Sequence, residues 1–228
     1  MAFNPANYTV SEPKSIPVIL LLDTSSSMFG DKIDSLNKAV EEMIEAFKKA
    51  ETMEIFIKVA IITFGNNGVN LHTPLTEVSN IEFSLLKAGG STPMGTALRM
   101  AKDMIEDKDI IKSRDYRPAV VLVSDGMPND DWEEPLENFV NTGRTKKCDR
   151  LALAIGDDAD KDVLNMFIDG CDNPLFFAKD AKDIVEKFKL ITMSVTTRSK
   201  SSNPNQTVNV SKSLDKNEET ILDDDLDF

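Results

Sequence analysis

An aspartate and two serines stand at alternate positions in Asp23-Thr24-Ser25-Ser26-Ser27, directly after an apolar run over residues 16–22. On a tight loop at the end of a strand, that spacing turns one carboxylate and two hydroxyls toward a single point. Hard oxygen donors of this kind suit a divalent cation, Mg²⁺ above all, with Mn²⁺ as a substitute in vitro. Two other stretches can complete the set. Gly89-Gly90-Ser91-Thr92-Pro93-Met94-Gly95 opens a helix, and Val123-Ser124-Asp125-Gly126 ends a second apolar strand. The expected metal ligands are Asp23, Ser25, Ser27, Thr92 and Asp125. Two charges and three neutral oxygens leave at least one octahedral position to water or to an outside oxygen. The natural outside ligand is an Asp or Glu carboxylate of a protein partner.

These loops need elements to carry them. Residues 18–22, 55–64, 119–123, 151–155 and 175–177 are continuous apolar runs rather than alternating ones, as in strands buried on both faces of a parallel sheet. Helical patterns lie between them. Ile33, Leu36, Val40, Met43, Ile44 and Phe47 share one face at 3.6-residue spacing, as do Met94, Ala97, Leu98, Ala101 and Ile105. Thr92 then falls at an N-cap, with Pro93 at the first helical position. Further amphipathic patterns cover residues 132–140, 163–168 and 184–191, the first capped by Asp131 with Trp132 packed inward. After the Gly65-Asn66-Asn67-Gly68 turn, residues 69–78 are expected to return as an antiparallel edge strand. The alternation predicts an α/β fold: a doubly wound, mostly parallel sheet with helices on both faces. Its ligand crevice belongs beyond the carboxyl ends of the strands, where strand order reverses.

The chain has 228 residues, 41% hydrophobic and 29% charged, with a net charge of −13. That length accommodates one well-cored domain and a tail. The negative balance disfavours nucleic acid and anionic membrane surfaces, and favours cations or basic partners. Two cysteines, Cys148 and Cys171, without metal-ligand spacing are expected as free thiols in a reducing compartment. The first residues hold no basic leader followed by an apolar core, and no apolar run approaches about 18 residues, so a cytoplasmic location with no membrane span is expected. The divisions expected are an N-terminal arm (1–11), the domain (12–198) and a tail (199–228) whose acidic, aromatic-poor composition reads as disordered.

In combination, DTSSSM, GGSTPMGTAL and VLVSDGMP, in this order and each after a hydrophobic strand, resemble the von Willebrand factor A domain over residues 12–198. The resemblance implies a Rossmann-like sheet of order 3-2-1-4-5-6 and a metal-ion-dependent adhesion site (MIDAS), where Mg²⁺ bridges the domain to an acidic side chain of a partner. Asp23 and Asp125 then lie on neighbouring strands at the switch point. Within that superfamily, SDGMPNDDWEEPL and LALAIGDDADKDVLNMF are similar to the small standalone bacterial proteins of the tellurium-resistance type. That likeness implies a stress-response complex with tellurium-resistance proteins, or the company of a protein kinase and a PP2C-type phosphatase. Ser26 departs from the family pattern, which usually has Gly there to let the loop approach the ion closely; the departure bears on metal affinity.

A catalytic set does not assemble from these residues, and the chain is not expected to be an enzyme. The alternative is a Mg²⁺-dependent, phosphatase-like hydrolase with Asp23 as nucleophile. Such enzymes need a second Asp two residues on, where Ser25 stands. The sole histidine, His72, falls in the edge strand, and the Gly89 segment lacks the lysine of a phosphate-binding loop. The tail, with carboxylates flanked by Leu222, Leu226 and Phe228, is expected to compete with a partner for the open metal position or to dock into a second copy of the protein.

Overall fold

Along the first strand, side chains alternate between two separate cores. Ile16, Val18, Leu20 and Leu22 enter one, while Ile19 and Leu21 enter the other. A strand flanked by cores on both sides must be central in a sheet covered by helices on both faces. The computed structural model, which describes residues 13–52 and 55–206, has this architecture. The N-terminal arm and residues 207–228 of the tail lie outside the described residues.

The strands are β1 (Lys14–Thr24), β2 (Ile55–Gly65), β3 (Gly68–Glu77), β4 (Ala119–Ser124), β5 (Asp149–Ile155) and β6 (Leu175–Ala178). They form one sheet in the order β3-β2-β1-β4-β5-β6. Every pairing is parallel except β2 with β3, which is antiparallel across the Asn66–Asn67 turn with a register shift between Val59 and Ile62. The helices are α1 (Asp31–Ala50), α2 (Met94–Glu106), α3 (Glu133–Asn141), α4 (Lys161–Ile168) and α5 (Ala181–Ser199). Helices α1 and α5 cover the face that includes Leu20, Phe47 and Phe188. Helices α2, α3 and α4 cover the other, around Leu21, Phe139 and Phe167. The expected strand order, the antiparallel edge and the two helical layers are all present.

Two expected helix starts differ. Helix α2 begins at Met94, not at Pro93, and Thr92 does not cap it: the Thr92 carbonyl accepts the Met94 N–H at 2.9 Å. Its open N–H groups are instead satisfied from another loop, because the Asp130 carboxylate accepts Gly95 N at 2.9 Å and Thr96 N at 2.8 Å. A charged acceptor at a helix N-terminus also complements the helix dipole. A Cβ on Gly95 would lie 2.4 Å from the Asp131 carbonyl oxygen, so only glycine lets the two backbones approach this closely. Helix α3 begins at Glu133 with Trp132 at its N-cap and no side-chain cap bond, so Asp131 does not cap it. Trp132 packs, half-buried, against the second core.

At the far end of α5, the chain folds back on the sheet. Arg198 is fully buried and donates from Nε to the Pro204 carbonyl at 2.9 Å, and its Nη1 meets Asp149 Oδ2 at 3.2 Å. The Arg117 N–H donates to Asn205 Oδ1 at 2.8 Å. Among the described residues no helix is long and apolar enough to cross a membrane.

Candidate metal centre

The register of the central strands assembles the site. Leu22 pairs with Val123 across β1 and β4, so the next residues along, Asp23 and Ser124, emerge side by side at the carboxyl edge. Ser124 Oγ donates to Asp23 Oδ2 at 2.6 Å, and Ser25 N–H donates to Asp23 Oδ1 at 2.8 Å. The chain order turns back between β1 and β4, with β2 to one side and β5 to the other. That reversal opens the crevice where ligands bind in open α/β sheets.

Beyond Asp23 the loop makes a single 3-10 turn, Ser26–Met28, which lifts two hydroxyls to one side. Ser25 Oγ and Ser27 Oγ lie 2.9 Å apart, and Ser27 Oγ donates to Asp125 Oδ1 at 2.6 Å. The other oxygen of Asp125 is held by the Lys32 ammonium, 2.6 Å from Oδ2. Lys32 lies in the first turn of α1, one third exposed, and reaches back over the loop to a fully buried carboxylate. A cation thus already sits against one of the expected ligands, and the adjoining donors are hydroxyls and a carboxylate. This donor set fits a hard divalent ion.

Thr92 enters from a third loop, buried, with its backbone fixed on both sides. Its N–H donates to Asn129 Oδ1 at 3.0 Å and its carbonyl accepts Asn129 N–H at 3.1 Å. The same loop is clipped to the first one at Gly90, whose carbonyl accepts both Ser26 N at 3.1 Å and Ser26 Oγ at 3.0 Å. A Cβ on Gly90, at φ +73°, would come 2.5 Å from the Gly65 carbonyl oxygen, so that loop is built on a glycine. Ser26 itself is under no such demand. Asn67 is the only described non-glycine residue with positive φ. The serine in place of the usual glycine is therefore unstrained, and its hydroxyl adds a tie between the two loops.

Ser25, Ser27 and Asp125 are thus joined directly, and Asp23 is joined to them through the Ser25 backbone. Thr92 makes no hydrogen bond to these four; its backbone is fixed by Asn129, and its loop is clipped to the serine loop at Gly90. Among the described residues no three Asp, Glu, His or Cys side chains converge. Burial decides the electrostatics. Desolvation, resisted by the hydrogen bonds from Ser124 and Ser25 and reinforced by the charge of Asp125, raises the Asp23 pKa from 3.8 to about 6.

Several contributors have no local signal in the sequence. Ser124 and Lys32 act on the two aspartates only because the fold brings them there. Phe29 and Met127, exposed at 80% and 69%, each stand two residues beyond a member of the hydrogen-bonded Ser27–Asp125 pair. Together they give the rim of a polar site two exposed apolar side chains.

A family model described as the von Willebrand factor type A domain matches residues 18–189. No curated protein matches the chain. Among solved structures, a paralog of ArnB, VWA2 from Sulfolobus acidocaldarius, aligns with a TM-score of 0.59 at 16% identity, covering 81% of this chain and 46% of its own. A von Willebrand factor type A protein from Catenulispora acidiphila aligns with a TM-score of 0.61 at 16% identity, over 79% of this chain and 42% of its own. Proximal thread matrix protein 1 of the mussel byssus, with a zinc-occupied MIDAS motif, aligns with a TM-score of 0.58 at 14% identity, over 81% and 46%. The chain spans less than half the length of each.

Proposed function

Because the chain belongs to the von Willebrand factor type A family, we propose that its loops at the switch point hold a divalent cation and present it to an acidic side chain of a partner protein. One observation carries this reading. Ser25, Ser27 and Asp125 form one hydrogen-bonded run of oxygens, and its terminal carboxylate already holds a cation, the Lys32 ammonium. Asp23 and Asp125 supply two negative charges, and Ser25, Ser27 and Thr92 supply neutral oxygens. Mg²⁺ suits that set, and Mn²⁺ serves in its place. The zinc-occupied MIDAS of the mussel protein supports the choice of a divalent ion. When bound, the ion supplies Lewis acidity toward a carboxylate from outside.

The residues around the ion have separable tasks. Ser124 and the Ser25 N–H orient Asp23, Gly90 holds the serine loop, and Asn129 holds the threonine loop. Lys32 is the resident counter-ion of Asp125, and a second cation has to displace it or share that carboxylate. Phe29 and Met127 provide apolar contact for the partner on either side, the arrangement of interface hot spots around a polar centre. The finer reading is a bacterial stress-response assembly of the tellurium-resistance type, with a protein kinase, a PP2C-type phosphatase or tellurium-resistance proteins as partners. It is supported by the runs SDGMPNDDWEEPL and LALAIGDDADKDVLNMF alone.

A binding module is favoured over the hydrolase because Ser25 stands where the second Asp of such a hydrolase is needed, and its N–H and Ser124 hold Asp23 as an acceptor, with no acid or base hydrogen-bonded to it among the described residues. The test is affinity purification from the native host. The partner is retained in Mg²⁺, released by EDTA, and absent from Asp125→Ala. A complex indifferent to EDTA and to Asp125→Ala rejects the metal bridge, and Mg²⁺-dependent phosphatase activity lost in Asp23→Ala establishes the alternative.

A further inference from the structure

A cavity of about 650 Å³ opens at the end of the sheet opposite the metal centre, beside the starts of β4 and β5. Its wall carries Lys108, Arg117, Arg144, Lys146 and Lys147 against two carboxylates, Asp149 and Asp172. Asp149 is fully buried and engaged first by Arg198 at 3.2 Å and by Asn173 Nδ2 at 2.7 Å, and of the wall cations Arg117 also acts on it. Lys108, Arg117, Lys146 and Lys147 are exposed, and none forms an ion pair with another described residue. On a chain of net charge −13 this is a local inversion of sign. Asp172 is exposed on the same wall, so the excess is positive rather than uniform, and a concave wall with an excess of one sign concentrates ligands of the other.

The path of the chain names the ligand. Helix α5 follows β6 and returns across the sheet, and 19 residues of helix carry the chain about 28 Å, to the end where the cavity lies. There Arg198 fixes Pro204, and Asn205 lines the cavity while accepting the Arg117 N–H, so the chain enters residues 207–228 beside the cavity. Residues 207–228 carry seven acidic residues against two lysines, and four of the seven fall within Asp223-Asp224-Asp225-Leu226-Asp227. The 17 residues from Gln206 to Asp223 reach up to about 55 to 60 Å when extended, so the link imposes no geometric bar. The metal centre, with its own Asp23 and Asp125, repels the same segment unless an ion is bound.

We infer that the acidic segment 215–228 docks into this basic cavity of its own chain, held by Lys146, Lys147 and their neighbours. The docking is independent of the metal centre. It stands beside the expectation that the segment occupies the open metal position, and the dependence on Mg²⁺ separates the two.

The test uses the full chain and a labelled peptide of residues 212–228, followed by fluorescence anisotropy at low salt. In the wild type the tethered segment competes at an effective concentration of about a millimolar. Neutralising it, with Asp223, Asp224, Asp225 and Asp227 all changed to Asn, frees the cavity, and the peptide is expected to bind at least about tenfold more tightly than to wild type. Adding Lys146→Glu and Lys147→Glu to that variant abolishes binding, as does raising the salt past the point where the Debye length is about 3 Å. EDTA and Asp125→Ala change nothing, so failure of the metal reading leaves this result intact. Equal peptide affinity for wild-type and neutralised chains, binding that survives the double Lys→Glu change, binding that requires Mg²⁺, or no binding at millimolar peptide each overturns the inference.

Discussion

Replacing Asp23 by Asn is expected to make the metal-free protein more stable at neutral pH while ending its response to metal. The folded carboxyl titrates at about 6 and its ordinary value is 3.8, chiefly because burial penalises the charge. A group whose folded pKa is raised favours folding while it is protonated. That contribution is full below pH 3.8 and is lost as pH climbs to about 6. The separation corresponds to about 3 kcal/mol of stability surrendered at neutral pH when no cation is bound. Asn keeps the shape and an acceptor for the Ser25 N–H, and the Ser124 hydroxyl can turn to accept from the new amide. Weaker hydrogen bonds cost about 1 kcal/mol, leaving a net gain of about 2 kcal/mol. Urea unfolding in EDTA reads this as a midpoint about 1 M higher for the variant. Across pH 4 to 7 the wild type loses stability and the variant holds level, apart from other groups common to both. Adding millimolar Mg²⁺ stabilises the wild type alone, by about 2.7 kcal/mol when the ion is at a hundred times its Kd. A variant less stable than wild type in EDTA at neutral pH, or one with the wild-type pH slope, refutes the reasoning.

Lys32→Met removes the resident counter-ion of Asp125; a partly exposed pair of this kind is worth about 1 kcal/mol, so calorimetric Mg²⁺ affinity should rise about fivefold, and an unchanged or weaker affinity contradicts the competition. Phe29→Ser with Met127→Ser should leave metal affinity and melting temperature near wild type while weakening partner capture in Mg²⁺ at least about tenfold, as loss of apolar hot spots does; full retention places the partner elsewhere. Arg198→Met strands the buried Asp149 carboxylate and should cost about 3 to 5 kcal/mol in denaturant unfolding, whereas a loss under about 1 kcal/mol would show that the pair contributes little.

What the sequence disclosed was whatever depends on local periodicity. Strands buried on both faces read as apolar runs, and Asp23 and Asp125 declared themselves by ending two of them. The runs understate the strands at their polar ends: Lys14 and Ser15 open β1, and Asp149 and Arg150 open β5, paired in the ladder although their side chains break the apolar pattern. Contacts between distant loops leave no such trace. Asp130 caps a helix that begins 36 residues earlier at Met94, so a nearest-neighbour rule assigned the cap to Thr92 and gave α3 a cap in Asp131. Lys32 reads as one more charge on an amphipathic helix until the loop folds under it. The buried Arg198–Asp149 pair joins the last turn of α5 to the first residue of β5, and nothing in either segment announces the other.

The central claim is that Asp23, Ser25, Ser27, Thr92 and Asp125 form one divalent cation site. Mn²⁺ titration followed by electron paramagnetic resonance tests it most directly, because bound Mn²⁺ leaves the sharp signal of the free ion. The account predicts one bound ion per chain, released by excess Mg²⁺, and no bound ion in Asp23→Ala or Asp125→Ala. A free-ion signal undiminished by millimolar wild-type protein, or binding that survives both substitutions, would contradict it.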